Sequence, residues 1–299
     1  MRFLHGTPNY DLTYNDVFMV PSMSTVASRQ SVDLRTPDAL GTTIPVVVSN
    51  MTAIAGRRMA ETVARRGGLV VLPQDIPLDV VENVVQFVKS RHMVIETPIT
   101  MPPDGTVGEA LSLIYNRAHG AVIVVDKDHR PLGIFTEHDA AGFDRFTQLH
   151  NVMSREIISI RHTDTPEQMF NFMTDKRISF APVVDDGGKL LGCVTRKGAL
   201  RSTIYSPAVD AQGRLMIGVA VGVNADPAAR AKSLVAMGVD VLVVDTAHGH
   251  QQRMLESVSA VRKVVGSIPV VAGNVVTTEG TRQLIEAGAD IVKVGVGPG

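Results

Sequence analysis

The fold is decided by runs such as VDVLVVDT at residues 239–246, in which apolar residues lead directly into a carboxylate and a hydroxyl. An amphipathic stretch of helical period, PAARAKSLVAMG, precedes this run, and another, MLESVSAVRKVVG, follows it. Near-continuous Val and Leu between two amphipathic helices is typical of a parallel strand that is buried on both faces. The stretch therefore predicts one β/α unit of an α/β protein.

The same unit recurs through the outer parts of the chain. Gly closes the amphipathic stretches, as expected for a helix C-cap. The pattern fits either an open doubly wound sheet or a (β/α)8 barrel, of which six strands lie in this chain and two would follow residue 299. The other five strands are predicted in IPVVVSN (44–50), GLVVLP (68–73), LMIGVAVG (215–222), IPVVAGN (268–274) and ADIVKVG (289–295).

Composition limits the classes of partner. The 299 residues carry a net charge of −1, with 44% hydrophobic and 20% charged residues, so we expect a globular protein that binds neither nucleic acid nor membranes. No apolar stretch is long enough to span a bilayer, and the N-terminal residues lack the apolar region of a signal peptide. Cys193 is the only cysteine, which excludes an internal disulfide and fits a reducing compartment. We therefore expect a cytoplasmic protein with small-molecule ligands.

Residues 93–206 interrupt this rhythm and contain their own repeat. TVGEALSLIYNRAHGAVIVVDKDHRPLGIFTEHD (106–139) aligns without a gap on TPEQMFNFMTDKRISFAPVVDDGGKLLGCVTRKG (165–198). Each half predicts a helix, a strand, an acidic turn, a second strand and a further helix. The alignment places Thr106 on Thr165, Gly133 on Gly192 and Thr136 on Thr195.

The repeated segment resembles a tandem CBS domain, a nucleotide-sensing pair also called a Bateman module. The resemblance rests on the stretch GIFTEHD, which runs from Gly133 to Asp139. It implies a regulatory purine nucleotide, ATP or GTP, with Thr136 on phosphate and Asp139 accepting from ribose hydroxyls. The second copy keeps Thr195 but has Gly198 in place of the ribose-binding carboxylate, so the first site is the better candidate. Alternatively, these turns only connect strand to helix.

Polar residues at the strand ends are the first candidates for a site, because parallel α/β proteins bind ligands at the carboxyl ends of their strands. Asp245 directly follows an apolar run and fits either a ligand contact or the N-cap of the next helix. His248 and His250 have no third metal ligand at a convincing spacing, so we expect no metal there. Cys193 lies in an apolar run and is interpreted as a core residue.

Five stretches together resemble the IMP dehydrogenase/GMP reductase family. The resemblance covers nearly the whole chain and implies a (β/α)8 TIM barrel, assembled as a homotetramer or octamer, with the CBS pair inserted after the second strand. It divides the chain into a first barrel part (1–92), the tandem CBS domain (93–206) and a second barrel part (207–299) without the last strands and flap. The stretches are LTYNDVFMVP (12–21), VVSNM (47–51), VDTAHGHQ (244–251), AGNVVTTEGTRQLIEAGAD (272–290) and KVGVGPG (293–299).

The resemblance also implies the chemistry. A cysteine nucleophile, expected just beyond Gly299, attacks C2 of the purine nucleotide, and a hydride passes between that carbon and a nicotinamide cofactor, NADPH or NAD. The implied site residues are Ser49, Met51 and Asn274 for the substrate, GMP or IMP; Asp245, Thr246, Ala247 and Gly295 for the cofactor; and the backbone carbonyls of Gly297 and Gly299 for a monovalent cation such as K+.

Two departures from the family pattern favour one branch. Met51 is followed by Thr-Ala-Ile in place of Asp-Thr-Val, and Gln74-Asp75 stand where many members have His-Lys. These changes resemble a CBS-containing branch that acts as GMP reductase. We therefore expect reductive deamination of GMP to IMP and ammonia by NADPH, regulated by nucleotides at the CBS pair. Two alternatives stay open: oxidation of IMP to XMP with NAD, and a nucleotide-binding fragment without catalytic activity.

Overall fold

The computed structural model describes residues 6–10, 12, 14–38, 40–115 and 119–295. The chain divides into two units, Met1–Leu34 and Arg35–Gly299. In its described residues the first unit has two 3-10 helices, Tyr14–Asp16 and Arg29–Ser31, and no strand. None of the described helices is long and apolar enough to cross a membrane.

The second unit alternates strands and helices along the chain. In chain order they are β1 (Val47–Val48), α1 (Arg57–Arg65), β2 (Leu69–Leu72), α2 (Leu78–Lys89), β3 (Thr100–Met101), α3 (Val107–Ile114), β4 (Ala121–Val125), β5 (Pro131–Thr136), β6 (Ile160–Arg161), α4 (Pro166–Asp175), β7 (Phe180–Val184), β8 (Leu190–Thr195), α5 (Arg196–Ile204), β9 (Gly218–Val221), α6 (Pro227–Ala236), β10 (Val241–Asp245), α7 (Gln252–Val265), β11 (Val270–Val275), α8 (Thr278–Glu286) and β12 (Ile291–Val294).

Six strands form one parallel sheet in the order β1-β2-β9-β10-β11-β12. Both faces are apolar. In β10, Leu242 and Val244 pack in the large core beneath the helices, whereas Val241 and Val243 belong to a second cluster on the opposite face. The predicted α/β class with a buried parallel sheet is therefore confirmed. Of the predicted eight-stranded barrel, the described residues form six strands.

The sheet is strongly curled. Asn50, which follows β1, donates from Nδ2 to Asp245 Oδ2 at the end of β10 over 2.9 Å. Three strand spacings separate β1 from β10, which is about 14 Å in a flat sheet. Two short side chains cannot span that distance, so the sheet closes around its inner face as half of a barrel. The open doubly wound alternative is wrong for this reason.

Buried charged residues connect the amino-terminal ends of the strands to the covering helices. Lys89 Nζ, at the end of α2, lies 2.8 Å from Asp210 Oδ2 and 2.7 Å from both carboxylate oxygens of Asp240. Asp240 Oδ2 also accepts from the backbone N–H of Ile217, next to β9, over 2.8 Å. Burial opposes ionisation of Asp210, but bonds from Lys89 and Arg214 outweigh it and lower the pKa of this carboxyl to about 2. Asp240 has Lys89 as its cation, and burial raises its pKa.

A second aspartate makes the same kind of contacts before β12. Asp290 precedes β12 as Asp240 precedes β10, and its Oδ2 accepts from the backbone N–H of Val270 over 2.8 Å. Arg262 of α7 pairs with this carboxylate, as Lys89 of α2 pairs with Asp240. Each aspartate thus joins a strand, its neighbour and a covering helix, because one carboxylate can accept several hydrogen bonds.

The segment between β2 and β9 forms two three-stranded sheets, β3-β4-β5 and β6-β7-β8. In each, the first pair of strands is parallel and the second antiparallel. The short first strands, β3 and β6, were not predicted, because two-residue strands carry no readable alternation. The interdomain boundaries near residues 93 and 206 stay a prediction.

The predicted internal repeat is present in the structure. Thr106 and Thr165 each cap a helix through a capping box, with Glu109 and Gln168 at the third helical position. The antiparallel pairs shift register at equivalent places, after Val124 in the first copy and after Val183 in the second. The halves differ after the last strand, where a 3-10 helix, Glu137–Ala140, stands in the first copy and α5 in the second.

Replacing Lys89 with Met should destabilise the protein by about 3 kcal/mol, because it leaves the Asp240 carboxylate buried without a cation. Urea denaturation measures the free energy of unfolding. Lys263→Met, at an exposed position of α7, is the matched control and should change it by about 0.5 kcal/mol or less. Equal stabilities of the two variants would contradict the role of Lys89.

Candidate functional site

An ion pair lies at the carboxyl-terminal ends of the strands, at one level of the sheet. Asp245 of β10 is in register with Gly273 of β11, and Gly273 with Lys293 of β12. Lys293 Nζ reaches across the middle strand to donate to Asp245 Oδ1 over 3.1 Å. A Cβ on Gly273 would lie 2.5 Å from the Lys293 carbonyl oxygen and 2.6 Å from its Cβ. Only glycine therefore allows this approach.

Asp245 contacts residues from either side of β10. Lys293 contacts one carboxylate oxygen and Asn50 the other. The Asp245 side chain is 20% exposed, so the carboxylate still faces solvent in part. The N-cap alternative for Asp245 is wrong, because α7 begins at Gln252 and its N-cap is Gln251. Asp245 is thus a fixed acceptor at the mouth of the half-barrel.

Below this mouth, the inner face encloses a cavity of about 270 Å³. Its walls are mainly Val and Leu from the strands, and its polar lining comes from Ser49, Asn50 and Lys293. Of the predicted substrate residues, Ser49 therefore lies at the cavity, whereas Met51, two residues later, does not line it and is 57% exposed. An apolar cavity with a few converging polar groups is the usual form of a small-molecule site.

Backbone hydrogen bonds join the loops after β10 and β11. Thr246 donates to Gly273 O and Asn274 donates to Thr246 O, each over 2.9 Å. Gly249 donates to Asn274 O over 2.6 Å, and a Cβ on Gly249 would lie 2.7 Å from that oxygen. The structure thus brings Asp245 and Thr246, which were predicted to bind the cofactor, together with Asn274, which was predicted to bind the substrate.

Two buried side-chain oxygens at these strand ends have no donor among the described residues. They are Asn274 Oδ1, after β11, and Gln74 Oε1, after β2. Gln74 packs on Gly222 at the end of β9, where a Cβ would lie 2.8 Å from Oε1. An unsatisfied buried acceptor costs about 1–3 kcal/mol, which a ligand donor can offset. These two oxygens therefore leave acceptor capacity unused at the strand ends.

The remaining predicted cofactor residues are Ala247 and Gly295, and the predicted cation residues are Gly297 and Gly299. Ala247 is exposed. Gly295 has φ 145, a value that favours glycine, and donates to Val275 O over 3.0 Å. Gly297 and Gly299 lie outside the described residues. His250 Nε2 lies 3.1 Å from Gln283 Oε1.

The predicted regulatory residues lie in the inserted segment and make local caps. Asp139 Oδ2 accepts from the Thr136 backbone N–H over 2.8 Å and from its hydroxyl over 2.7 Å. Thr195 Oγ1 accepts from the Gly198 backbone N–H over 2.9 Å. Cys193 is buried, and burial raises the pKa of its thiol well above the usual value, as expected for a core residue.

Asn50 and Lys293 were missed as site residues by the sequence reasoning. A readable signal existed for Lys293, which interrupts the apolar run IVKV at the same phase as inward-facing Ile291. A charged residue at an inward position of a buried strand needs a partner. Asn50 gave no such signal, because its contact depends on how far the sheet curls.

Comparisons with known proteins agree with this geometry. The family model of the IMP dehydrogenase / GMP reductase domain matches residues 11–299. The chain is 52% identical over 300 residues to a GMP reductase of Mycobacterium tuberculosis (strain ATCC 25618 / H37Rv), covering 100% of this chain and 62% of that protein. It is 37% identical over 294 residues to an inosine-5'-monophosphate dehydrogenase of Halalkalibacterium halodurans, covering 96% of this chain and 60% of that protein.

A solved structure is similar as well. A GMP reductase of Trypanosoma brucei in complex with guanosine 5'-triphosphate superposes with a TM-score of 0.61 at 33% identity, covering 96% of this chain and 72% of that one. The chain spans about three fifths of the length of the curated relatives it matches. The family model, the identities and the shared fold together show that the chain belongs to the IMP dehydrogenase/GMP reductase family.

Proposed function

We propose that the chain supplies the nucleotide and cofactor site of a GMP reductase, which converts GMP and NADPH, with two protons, into IMP, NADP+ and an ammonium ion. The observation that carries the proposal is the identity to known relatives. The sequence identity is 52% to the Mycobacterium tuberculosis GMP reductase over the whole chain, and 37% to the Halalkalibacterium halodurans IMP dehydrogenase over nearly the same span. The departures at Thr52 and Gln74 support the same branch. IMP dehydrogenase activity, with NAD, is the alternative.

The fixed carboxylate of Asp245 suits the cofactor side of this reaction. A carboxylate accepts strongly from the paired hydroxyls of a ribose. Lys293 and Asn50 keep the Asp245 carboxylate oriented before the ligand arrives, which reduces the ordering needed on binding. A nicotinamide bound there supplies the hydride. Thr246, Ala247 and Gly295 extend the same edge and are proposed to border the cofactor.

The orphaned acceptors suit the substrate side. Asn274 Oδ1 is proposed to accept from the purine or its ribose, beside Ser49 and Met51. Gln74 Oε1 offers a second acceptor at a position where many family members carry a histidine, and the following Asp75 stands where they carry a lysine. Filling both acceptors removes the penalty of leaving them buried without donors.

We also propose that residues 93–206 are a CBS pair that binds a regulatory purine nucleotide at Thr136 and Asp139, with Thr195 as a weaker second site. Three observations support this: the duplicated fold, the matching turns in both copies, and the GTP complex of the Trypanosoma brucei relative. In the repeat, Asp139 has one oxygen engaged by Thr136, which leaves its other oxygen for a ribose hydroxyl.

Several expectations from the family resemblance stay predictions. They are the cysteine nucleophile just beyond Gly299, a monovalent cation such as K+ at the carbonyls of Gly297 and Gly299, a homotetrameric or octameric assembly, and a cytoplasmic location.

The reaction is tested by following nicotinamide absorbance at 340 nm with the full-length enzyme. We expect GMP to drive oxidation of NADPH with release of ammonia, because the chain is closer to GMP reductases than to IMP dehydrogenases. IMP with NAD is the matched comparison, and activity with that pair alone would overturn the proposal. The 299-residue chain is assayed in parallel, since turnover by it would exclude the alternative of an inert nucleotide-binding fragment.

Lys293→Met should raise the KM for the nicotinamide cofactor about tenfold, with a smaller change in kcat, because Asp245 loses the cation that orients it. Steady-state kinetics of the full-length enzyme measure both constants. Lys232→Met, an exposed lysine of α6, serves as the control and should leave the KM unchanged. A wild-type KM in Lys293→Met would remove Lys293 from the site.

Asp139→Asn should weaken GTP binding about tenfold, because it removes a charge while keeping an oxygen that can accept from Thr136. Isothermal titration calorimetry measures the affinity. Asp128→Asn changes an exposed acidic residue of the same repeat and should bind GTP as the wild type does. Unchanged affinity in Asp139→Asn would place the nucleotide elsewhere.

A further inference from the structure

Arginines gather where the parallel sheet's helix α1 meets the inserted segment. Glu61 of α1 is buried, with its side chain 3% exposed. Its oxygens accept from Arg58 over 3.1 Å, from Arg65 over 3.0 Å and from the hydroxyl of Thr97 over 2.6 Å. The carboxylate of Glu61 is therefore fully used within this cluster.

Two more arginines lie beside it without such a partner. Arg66 caps the carboxyl end of α1, and Arg201 lies in α5. Neither guanidinium forms a salt bridge with a carboxylate of the described residues. Burial and the neighbouring charge of Arg201 lower the pKa of Arg66, in that order of size. The nearby Glu96 carboxylate raises the pKa of Arg66, but by less. Two like charges thus share one carboxylate in a partly buried place, which favours a further anion.

The junction carries an excess of positive charge. Four arginines (58, 65, 66 and 201) face two carboxylates, Glu61 and Glu96, which leaves a net charge of +2 when His119 is neutral. Glu96 Oε2 lies 3.1 Å from His119 Nδ1, but the two atoms do not form a hydrogen bond among the described residues. Its other oxygen lies beside Gly198, where a Cβ would be 2.5 Å from Oε1.

A solvent-open groove lies between the unpaired arginines. Its lining includes Thr62, Arg66, Glu96, Arg201 and Ser202. Thr62 adds a hydroxyl, and the Ser202 hydroxyl donates to Gly198 O over 3.1 Å. The internal volume is about 20 Å³, so the groove seats the end of a ligand and not a whole nucleotide. Guanidinium groups with nearby hydroxyls are the usual partners of phosphate.

We infer that this groove is an anion site that binds a phosphoryl group between Arg66 and Arg201. The ligand class is inorganic phosphate or the terminal phosphate of a larger phosphorylated molecule. Binding neutralises the surplus charge and relieves the repulsion between the two arginines. Glu96 limits the site to ligands that reach the arginines from the open side, since a second anion beside its carboxylate would be repelled.

Occupancy would also join two parts of the chain. Arg66 belongs to the helix layer of the parallel sheet, whereas Arg201 belongs to the inserted segment. A single phosphoryl group held by both would link them through charge-assisted hydrogen bonds. The inference depends on this arrangement of arginines and not on the proposed reductase activity, so either can fail alone.

The test is calorimetric titration of the full chain with inorganic phosphate and inorganic triphosphate. We expect binding that weakens as salt is raised, and affinities about tenfold lower in Arg66→Gln and in Arg201→Gln. Arg161→Gln is the matched control, an exposed arginine of the inserted segment outside the groove, and should bind as the wild type does. Circular dichroism and the thermal midpoint establish that each variant is folded.

Absence of phosphate and triphosphate binding by the wild type would overturn the inference, as would equal affinities in wild type and folded Arg201→Gln. Competition in the Asp139→Asn background identifies the source of the phosphate. Displacement of triphosphate by GTP in that variant supports a nucleotide phosphate as the ligand. Displacement by inorganic phosphate alone supports the free anion.

Discussion

The site depends on one carboxylate that is shared across a curled sheet. Asp245 accepts from Asn50 on one side and from Lys293 on the other, and these contacts draw together strands that a flat sheet would keep apart. The contact to Lys293 is possible because Gly273 lies between them without a side chain. The curvature of the sheet, the ion pair and the glycine therefore depend on one another. A side chain at Gly273 would displace Lys293 and so change the position of Asp245.

Polar side chains lie at both ends of the parallel strands, but they have different roles at the two ends. At the amino-terminal edge, Asp240 and Asp290 are satisfied by a strand N–H and a helix cation, so these groups hold the framework together. At the carboxyl-terminal ends of the strands, Gln74 and Asn274 have buried oxygens without donors in the part of the chain that the structure describes. The aspartates at the amino-terminal ends have their partners and hold the framework. The unpaired oxygens at the carboxyl-terminal ends can still form hydrogen bonds with a ligand.

Much of the fold could be predicted from the sequence, and less of the site. The strand before Asp245 was predictable from its sequence VLVV, because a strand that is buried on both faces consists of consecutive apolar residues. The repeat was visible because Thr106 and Thr165 start helices by the same local capping chemistry. The contact of Asn50 with Asp245 was not predictable, because it depends on residues 195 positions apart and on the degree of curling. Strands β3 and β6 escaped for a different reason: their pairing comes from tertiary packing and not from a local pattern.

The position of the inserted segment has a consequence for the order of folding. β2 and β9 are hydrogen-bonded neighbours, although residues 73–217 lie between them. Closing so long a loop loses chain entropy and slows the search for the pairing. The inserted sheets are built largely from strands close in sequence, and Glu96 exchanges two backbone hydrogen bonds with Cys193. Once formed, they bring the entry and exit of the segment together and shorten the loop that remains. We therefore expect early formation of the inserted sheets to speed the pairing of β2 with β9.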